Sequence, residues 1–225
     1  TASNKTYDAS TSATVDVSSA SFSGIVSGDN LSVSASGVFD NANVGTSKTV
    51  TLTSSYSGDD VNNYSITDQA STTATVTKVS LTATATASNK SYDATTTATV
   101  TLTFSGLVGS ETLGQSVSST FSDKNVGTGK TVTVNSITLS NGSNGGLAGN
   151  YSVSSGQTST ADITTKALTV SGITGVNKTY DGSVGATLNT SSVNYSGLVS
   201  GDSFTVTPTG TFDNKNIGTG KTVTI

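Results

Sequence analysis

The chain repeats itself three times, and that periodicity limits what it can fold into more than any other feature. Asn4-Lys5-Thr6-Tyr7-Asp8 returns as Asn89-Lys90-Ser91-Tyr92-Asp93 and as Asn177-Lys178-Thr179-Tyr180-Asp181, so the three tyrosines stand 85 and 88 residues apart. Phe22-Ser23-Gly24-Ile25-Val26 returns as Phe104-Ser105-Gly106-Leu107-Val108 and as Tyr195-Ser196-Gly197-Leu198-Val199. Asn43-Val44-Gly45-Thr46-Ser47-Lys48 returns as Asn125-Val126-Gly127-Thr128-Gly129-Lys130 and as Asn216-Ile217-Gly218-Thr219-Gly220-Lys221. Asn63-Tyr64-Ser65 returns once, as Asn150-Tyr151-Ser152. Solenoid units run to ~20–45 residues, so this longer period calls for small domains, each with its own core. Lys78 and Lys166 are 88 residues apart and mark the unit starts. The reading is 1–77 for repeat 1, 78–165 for repeat 2 and 166–225 for repeat 3. Only the middle copy is read as complete; the outer two are read as shortened at the N-terminal and C-terminal end respectively.

Within each unit, apolar residues alternate with Ser and Thr. Thr49-Val50-Thr51-Leu52-Thr53, Thr131-Val132-Thr133-Val134, Ala74-Thr75-Val76-Thr77, Ala161-Asp162-Ile163-Thr164, Leu31-Ser32-Val33-Ser34-Ala35 and Phe204-Thr205-Val206-Thr207 all carry the period of two expected of half-buried strands. Thr222-Val223-Thr224-Ile225 repeats the pattern at the end of the third unit. The parity flips between Val134 and Ile137, which predicts a bulge or break at Asn135-Ser136. Gly-Asp and Asx-rich segments such as Ser27-Gly28-Asp29-Asn30 and Asp40-Asn41-Ala42-Asn43 fall between strands as turns. The expected fold is all-β: tandem immunoglobulin-like β-sandwich repeats of about 85–88 residues. The expected core of a unit is Tyr7, Phe22, Ile25, Leu31, Phe39, Val50 and Leu52, with counterparts in the later copies.

Composition narrows the chemistry. Thr (44) and Ser (40) stand where charged residues usually do, yet the abundance of β-branched residues argues for order rather than a disordered stalk. With no His, Cys or Arg, the chain has no Ser-His-Asp triad, zinc site of the usual ligands, or bidentate phosphate clamp. Ten lysines against fourteen acids give a net charge of −4, which supplies neither the counterion-release drive for nucleic acid nor a polybasic membrane patch. No apolar run reaches transmembrane length.

Lys178-Thr179-Tyr180-Asp181-Gly182, Phe212-Asp213-Asn214-Lys215-Asn216-Ile217-Gly218-Thr219-Gly220-Lys221, Gly149-Asn150-Tyr151 and Ala161-Asp162-Ile163-Thr164-Thr165-Lys166 together resemble the bacterial YDG-type repeat, related to the MBG-type repeats of large exported proteins. The resemblance covers all three copies. Ala9 and Ala94 depart from it where Gly182 keeps the glycine, and Ser47 replaces the glycine seen at Gly129 and Gly220. It implies a cell-surface or secreted, adhesin-like bacterial protein with these repeats as a stalk, and it implies no catalytic residues. The expected partners are neighbouring repeats, other copies if the chain forms a fibre, and an unidentified host or surface receptor. The function expected first is a spacer without catalysis. A self-assembling extracellular filament is the alternative, and a glycan-binding module the third reading.

Signature positions are Tyr7, Asp8, Tyr92, Asp93, Tyr180, Asp181, Gly45, Gly127, Gly218, Tyr64 and Tyr151, all read as structural: tyrosine rings in the core and aspartates closing Asx turns. Cofactors are not expected. Asp59-Asp60, the adjacent acidic pair, are the calcium candidates, against a solvated turn. Gly127-Thr128-Gly129-Lys130-Thr131 looks like part of a phosphate loop, but Lys124 stands where the pattern needs a glycine and a strand pattern follows, so it reads as a turn. A glycosidase carboxylate pair and an ice-binding threonine array find no support in single turn acids and twisted sheets. Lys48, Lys130 and Lys221 raise an intramolecular Lys–Asn crosslink, against which the following-turn position predicts exposed lysines.

Overall fold

The computed structural model describes residues 1–225. The chain is all-β, with 46% of residues in strand and 3% in helix. It has two compact units. One comprises Thr1–Ser88, Thr97–Phe121 and Thr131–Thr160; the other comprises Asn89–Thr96, Ser122–Lys130 and Ala161–Ile225.

The first unit holds a five-stranded sheet from the first repeat, in the spatial order Lys5–Thr6, Ser71–Thr77, Gly45–Ser57, Ser32–Phe39, Ser12–Ala13. Lys5–Thr6 runs parallel to Val76–Thr77, and the other pairs are antiparallel. The long central ladder runs from Phe39 opposite Val50 to Ser32 opposite Ser57. Alternation along Gly45–Ser57 turns Lys48, Val50 and Leu52 to one face and the threonines to the other, as a period of two requires.

The same unit contains two ladders of the second repeat. Val79–Ala87 lies between Val100–Ser105, antiparallel to it, and Tyr151–Val153, parallel to it. Leu113–Phe121 pairs antiparallel with Val132–Asn141, and the register shifts between Val134 and Ser136, where the parity flip predicts a break. One core cluster joins Tyr7, Phe39, Val50, Ala74 and Val76 of the first repeat to Leu81 and Tyr151 of the second. Burying a Leu or Val side chain contributes about 1.5–3 kcal/mol, so this shared core ties the first repeat to part of the second.

In the second unit, Lys90–Ser91 runs parallel to Ile163–Thr164, repeating the Lys5–Thr6 arrangement. The third repeat forms short antiparallel pairs, such as Thr169–Ser171 with Asn194–Ser196 and Gly210–Phe212 with Val223–Thr224.

Two expectations need correction. Phe204–Thr207 is not a strand. Its counterpart around Ser32–Ser34 pairs with Ser55–Ser57, and residues 166–225 contain no counterpart of that partner. A strand pattern without a ladder leaves its backbone groups to water. Of the expected core, Tyr7, Phe39 and Val50 are buried, but Phe22, Leu31 and Leu52 are half-buried and Ile25 is 37% exposed. These four line an open groove on the first repeat.

The turn after each signature tyrosine explains the Ala/Gly variation. Ala9 and Ala94 have φ of 62°, and Gly182 has 76°. This left-handed region costs a residue with a Cβ about 1–2 kcal/mol, while glycine enters it freely at an entropic cost. Ala94→Gly is therefore expected to raise stability by about 0.5–1 kcal/mol, read as the urea midpoint at unchanged slope. An unchanged or lowered midpoint contradicts that.

Candidate functional site

The most heavily bonded buried carboxylate is Glu111, the chain's one glutamate, which is 9% exposed. A tight turn, with Glu111 N–H donating to Val108 O at 3.1 Å, presents it. Tyr7 Oη donates to its Oε1 at 2.6 Å, and Tyr151 Oη donates to its Oε2 at 2.6 Å. Tyr151 Oη also accepts from Val108 N–H at 3.1 Å. The two rings meet edge to face, with centroids 5.7 Å apart and planes at 78°. Beside them Asn150, 2% exposed, accepts from Val44 N–H at 3.0 Å and donates to Asn43 Oδ1 at 3.0 Å. Tyr7, Asn43 and Val44 belong to the first repeat and Glu111, Asn150 and Tyr151 to the second, so this is the joint between them.

Backbone placement aims Tyr7 at the joint. Its N–H donates to Thr77 O at 2.9 Å, at the point where the first repeat ends, and Tyr92 N–H makes the same bond to Thr164 O at 2.9 Å. Burial, and then the hydrogen bond to Glu111, push the Tyr7 hydroxyl up to about 12. Tyr151 is raised for the same two reasons.

The parts of this joint recur. Asp29 N–H donates to Val26 O at 3.1 Å and Asp202 N–H donates to Val199 O at 3.0 Å, so the same turn offers an acid in every repeat. Tyr64 Oη donates to Asp29 at 2.6 Å and accepts from Val26 N–H at 2.8 Å, as Tyr151 does one repeat later. Tyr92 Oη donates to Asp202 at 3.3 Å, the counterpart of the Tyr7 bond. Tyr180, at the third such position, is 57% exposed and makes no hydrogen bond.

The signature aspartates sit elsewhere. Asp8, Asp93 and Asp181 each accept from the lysine three residues earlier, at 2.7, 2.7 and 2.9 Å. Each also accepts from the backbone N–H two residues later, at 2.9 Å. The lysine ammonium further donates to main-chain carbonyls, Ser10 O at 2.8 Å for Lys5 and Ser183 O at 3.0 Å for Lys178. A carboxylate, carbonyls and a hydroxyl are the oxygens a hard cation takes; here the chain's own ammonium holds that position. Lysine, with the Thr95 and Ser183 amides behind it, holds Asp93 and Asp181 down to about 2. Asp60 accepts from Asn30 N–H at 3.0 Å, Asp59 makes no such bond, and no three acids converge anywhere in the chain.

The lysines after the Gly-Thr turns are not exposed, contrary to expectation. Lys48 is 9% exposed and lies 2.7 Å from Asp40 and 2.8 Å from Asn41 Oδ1. Lys130 meets Asp123 at 2.7 Å and Lys221 meets Asp213 at 3.0 Å. The lysine stem folds back over Gly45, Gly127 or Gly218; a Cβ there would sit 3.2 Å from Lys48 Cδ, 3.3 Å from Lys130 Cδ and 3.5 Å from Lys221 Cδ. Gly45 and Gly127 make room for the lysine, while the Gly218 separation is ordinary contact. Lys48 holds Asp40 below the usual carboxylate range, so the acid stays ionised rather than supplying the proton that amide attack on Asn41 requires. The Gly127 turn runs directly into the strand Gly127–Asn141 with no helix behind it.

The family model of the YDG domain matches residues 1–75, 75–161 and 164–225. The chain belongs to the YDG-domain family. No curated protein and no solved structure matches it. Tyr7 of the first signature carries the joint and Tyr92 of the second its counterpart, Tyr180 of the third stays exposed, and the neighbouring aspartate closes the turn behind each.

The joint titrates at high pH. Tyr7 is raised from 10.0 to about 12 on folding, so its stabilisation is complete below pH 10 and is lost as pH rises towards 12. In a tyrosinate absorbance titration, the Tyr7→Phe difference is expected to remove the last-ionising step. If an early step disappears instead, the buried hydroxyl is misplaced.

Proposed function

We propose that this YDG array is a structural spacer of an exported, adhesin-like bacterial surface protein, with no catalysis and with neighbouring repeats as its first partners. The observation that carries the reading is the Tyr7–Glu111–Tyr151 joint over a shared core. A chain that must hold successive domains in register needs contacts of this kind. The repeated lysine–aspartate pairs support it too, because Lys5, Lys90 and Lys178 are held by Asp8, Asp93 and Asp181, and Lys48, Lys130 and Lys221 by Asp40, Asp123 and Asp213. Of the aromatic side chains a sugar platform would need, Tyr7 and Tyr151 are committed to the joint, which weighs against glycan recognition. An immunoglobulin-like sandwich is our reading of each unit's architecture, supported by the two separate ladders of the second repeat. A cell-surface or extracellular setting follows from the spacer role and from a surface carried by Ser and Thr.

Electron microscopy with light scattering on the same sample tests this. A spacer gives particles of one length and a mass independent of concentration. Fibres that lengthen with concentration overturn the passive role in favour of a filament subunit.

A further inference from the structure

The second repeat carries the chain's two Asn-Gly steps, Asn141-Gly142 and Asn144-Gly145, in one loop and each behind a serine. Glycine after asparagine lets the next main-chain nitrogen approach the Asn side-chain carbonyl, since no Cβ stands in the way. The two steps are alike in sequence, and the fold separates them. Gly142 N–H donates to Gly146 O at 2.9 Å, and a Cβ on Gly142 would sit 2.1 Å from Thr112 O, so this peptide is both bonded and packed. Asn141 ends the strand Gly127–Asn141 opposite Leu113, and its Oδ1 accepts from Ala148 N–H at 2.9 Å.

Asn144-Gly145 is the opposite case. The two residues form the centre of a turn closed by Gly146 N–H donating to Ser143 O at 3.1 Å, with φ of 55° and 89°. Positive φ at both central positions is the type I′ form, which asparagine and glycine enter most easily. Both residues are exposed, and Gly145 N–H donates to no group. A Cβ on Gly145 would have a single neighbour within 4 Å, Glu111 Oε1 at 3.7 Å. That oxygen is the one that accepts from Tyr7 at 2.6 Å. Asn144 Nδ2 donates to Ser110 O at 3.1 Å, next to Glu111 in the chain. The open turn thus borders the carboxylate at the centre of the joint.

We propose that Asn144-Gly145 is a self-modification site, which converts to aspartyl and isoaspartyl forms and in doing so loosens the Tyr7–Glu111–Tyr151 joint. Gly145 N gives up its proton and bonds to Asn144 Cγ; the Cγ–Nδ2 bond breaks, and ammonia leaves with that proton. The resulting cyclic imide then takes up water. Opening at Cγ restores the normal chain with an aspartyl side chain, and opening at the main-chain carbonyl routes the chain through Cγ as isoaspartate. Both products lose the NH2 that donates to Ser110 O and add a carboxylate next to Gly145, where it repels Glu111. The site is independent of the spacer reading, since the reaction needs only the turn and water.

The test ages the full chain in mildly alkaline buffer, beside a matched sample unfolded in urea. Cleavage after lysine releases Thr131–Lys166, which holds both asparagines, and fragment masses locate the exchange of NH2 for OH. In urea the two steps are expected to convert at equal rates. In the folded chain Asn144 is expected to convert at least about tenfold faster than Asn141, whose step must first open two hydrogen bonds. The acidic form, separated by anion exchange, is expected to melt about 2–4 °C below the fresh chain. N144Q keeps the amide on a side chain too long to close the same ring, and is expected to yield no such form over the same period. Equal conversion of the two asparagines in the folded chain, no conversion of Asn144 there while urea converts it, or an acidic form with an unchanged midpoint overturns the proposal.

Discussion

Glu111→Ala is expected to destabilise the first unit by about 3 kcal/mol, because it strips two buried tyrosine hydroxyls of a charged acceptor at once. Each of those bonds is 2.6 Å long, and the carboxylate is 9% exposed. A hydrogen bond to a charged group contributes about 1.5–3 kcal/mol, and buried donors left unpaired add to the loss. Glu111→Gln is expected to cost less, about 1 kcal/mol, since the amide oxygen still accepts from one hydroxyl and its NH2 can donate to the other. Urea unfolding followed by circular dichroism measures both. If Glu111→Ala falls within about 0.5 kcal/mol of wild type, the carboxylate is not the centre of the joint.

The second large effect compares two tyrosines at the same place in the repeat. Tyr151→Ala is expected to cost about 3–5 kcal/mol, as for other large aromatic truncations in a core. Tyr151 is 1% exposed, stacks edge to face on Tyr7 and bonds to Glu111. Tyr64→Ala removes the same intra-repeat bonds to Asp29 and Val26, but Tyr64 is half-buried beside the open groove. It is expected to cost less than half as much. Equal losses would mean that the turn acid alone, and not the joint with a preceding repeat, gives the tyrosine its value. Ile25 and Val26 are 37% and 62% exposed, whereas their counterparts Leu107 and Val108 pack on the core cluster.

Much of this was legible in the sequence, for physical reasons that differ by feature. The three copies and the all-β fold follow from repeated markers and a period of two, since side chains on a strand alternate whatever the context. The break after Val134 followed from a parity flip. The tyrosines stood out as signatures, but what they bond to did not. Glu111 lies 104 residues from Tyr7, and a contact at that separation leaves no local pattern. One signal was available: Asp29, Glu111 and Asp202 occupy the same turn in each copy, and an acid kept three times in a chain so poor in charge marks a place where charge is used. The burial of Lys48 was not legible because position after a turn suggests exposure, whereas the lysine stem fills the space left over Gly45. Phe204–Thr207 shows the opposite limit, where a strand pattern without a partner strand stays irregular.

A double-mutant cycle on Tyr7 and Glu111 tests the joint most directly. Tyr7→Phe removes one hydroxyl and leaves the ring, and Glu111→Ala removes the acceptor. If the two groups bond as described, the double variant loses less than the sum of the singles, with a coupling of about 1–2 kcal/mol. Additivity within about 0.5 kcal/mol would contradict the account, because residues that do not touch add their effects.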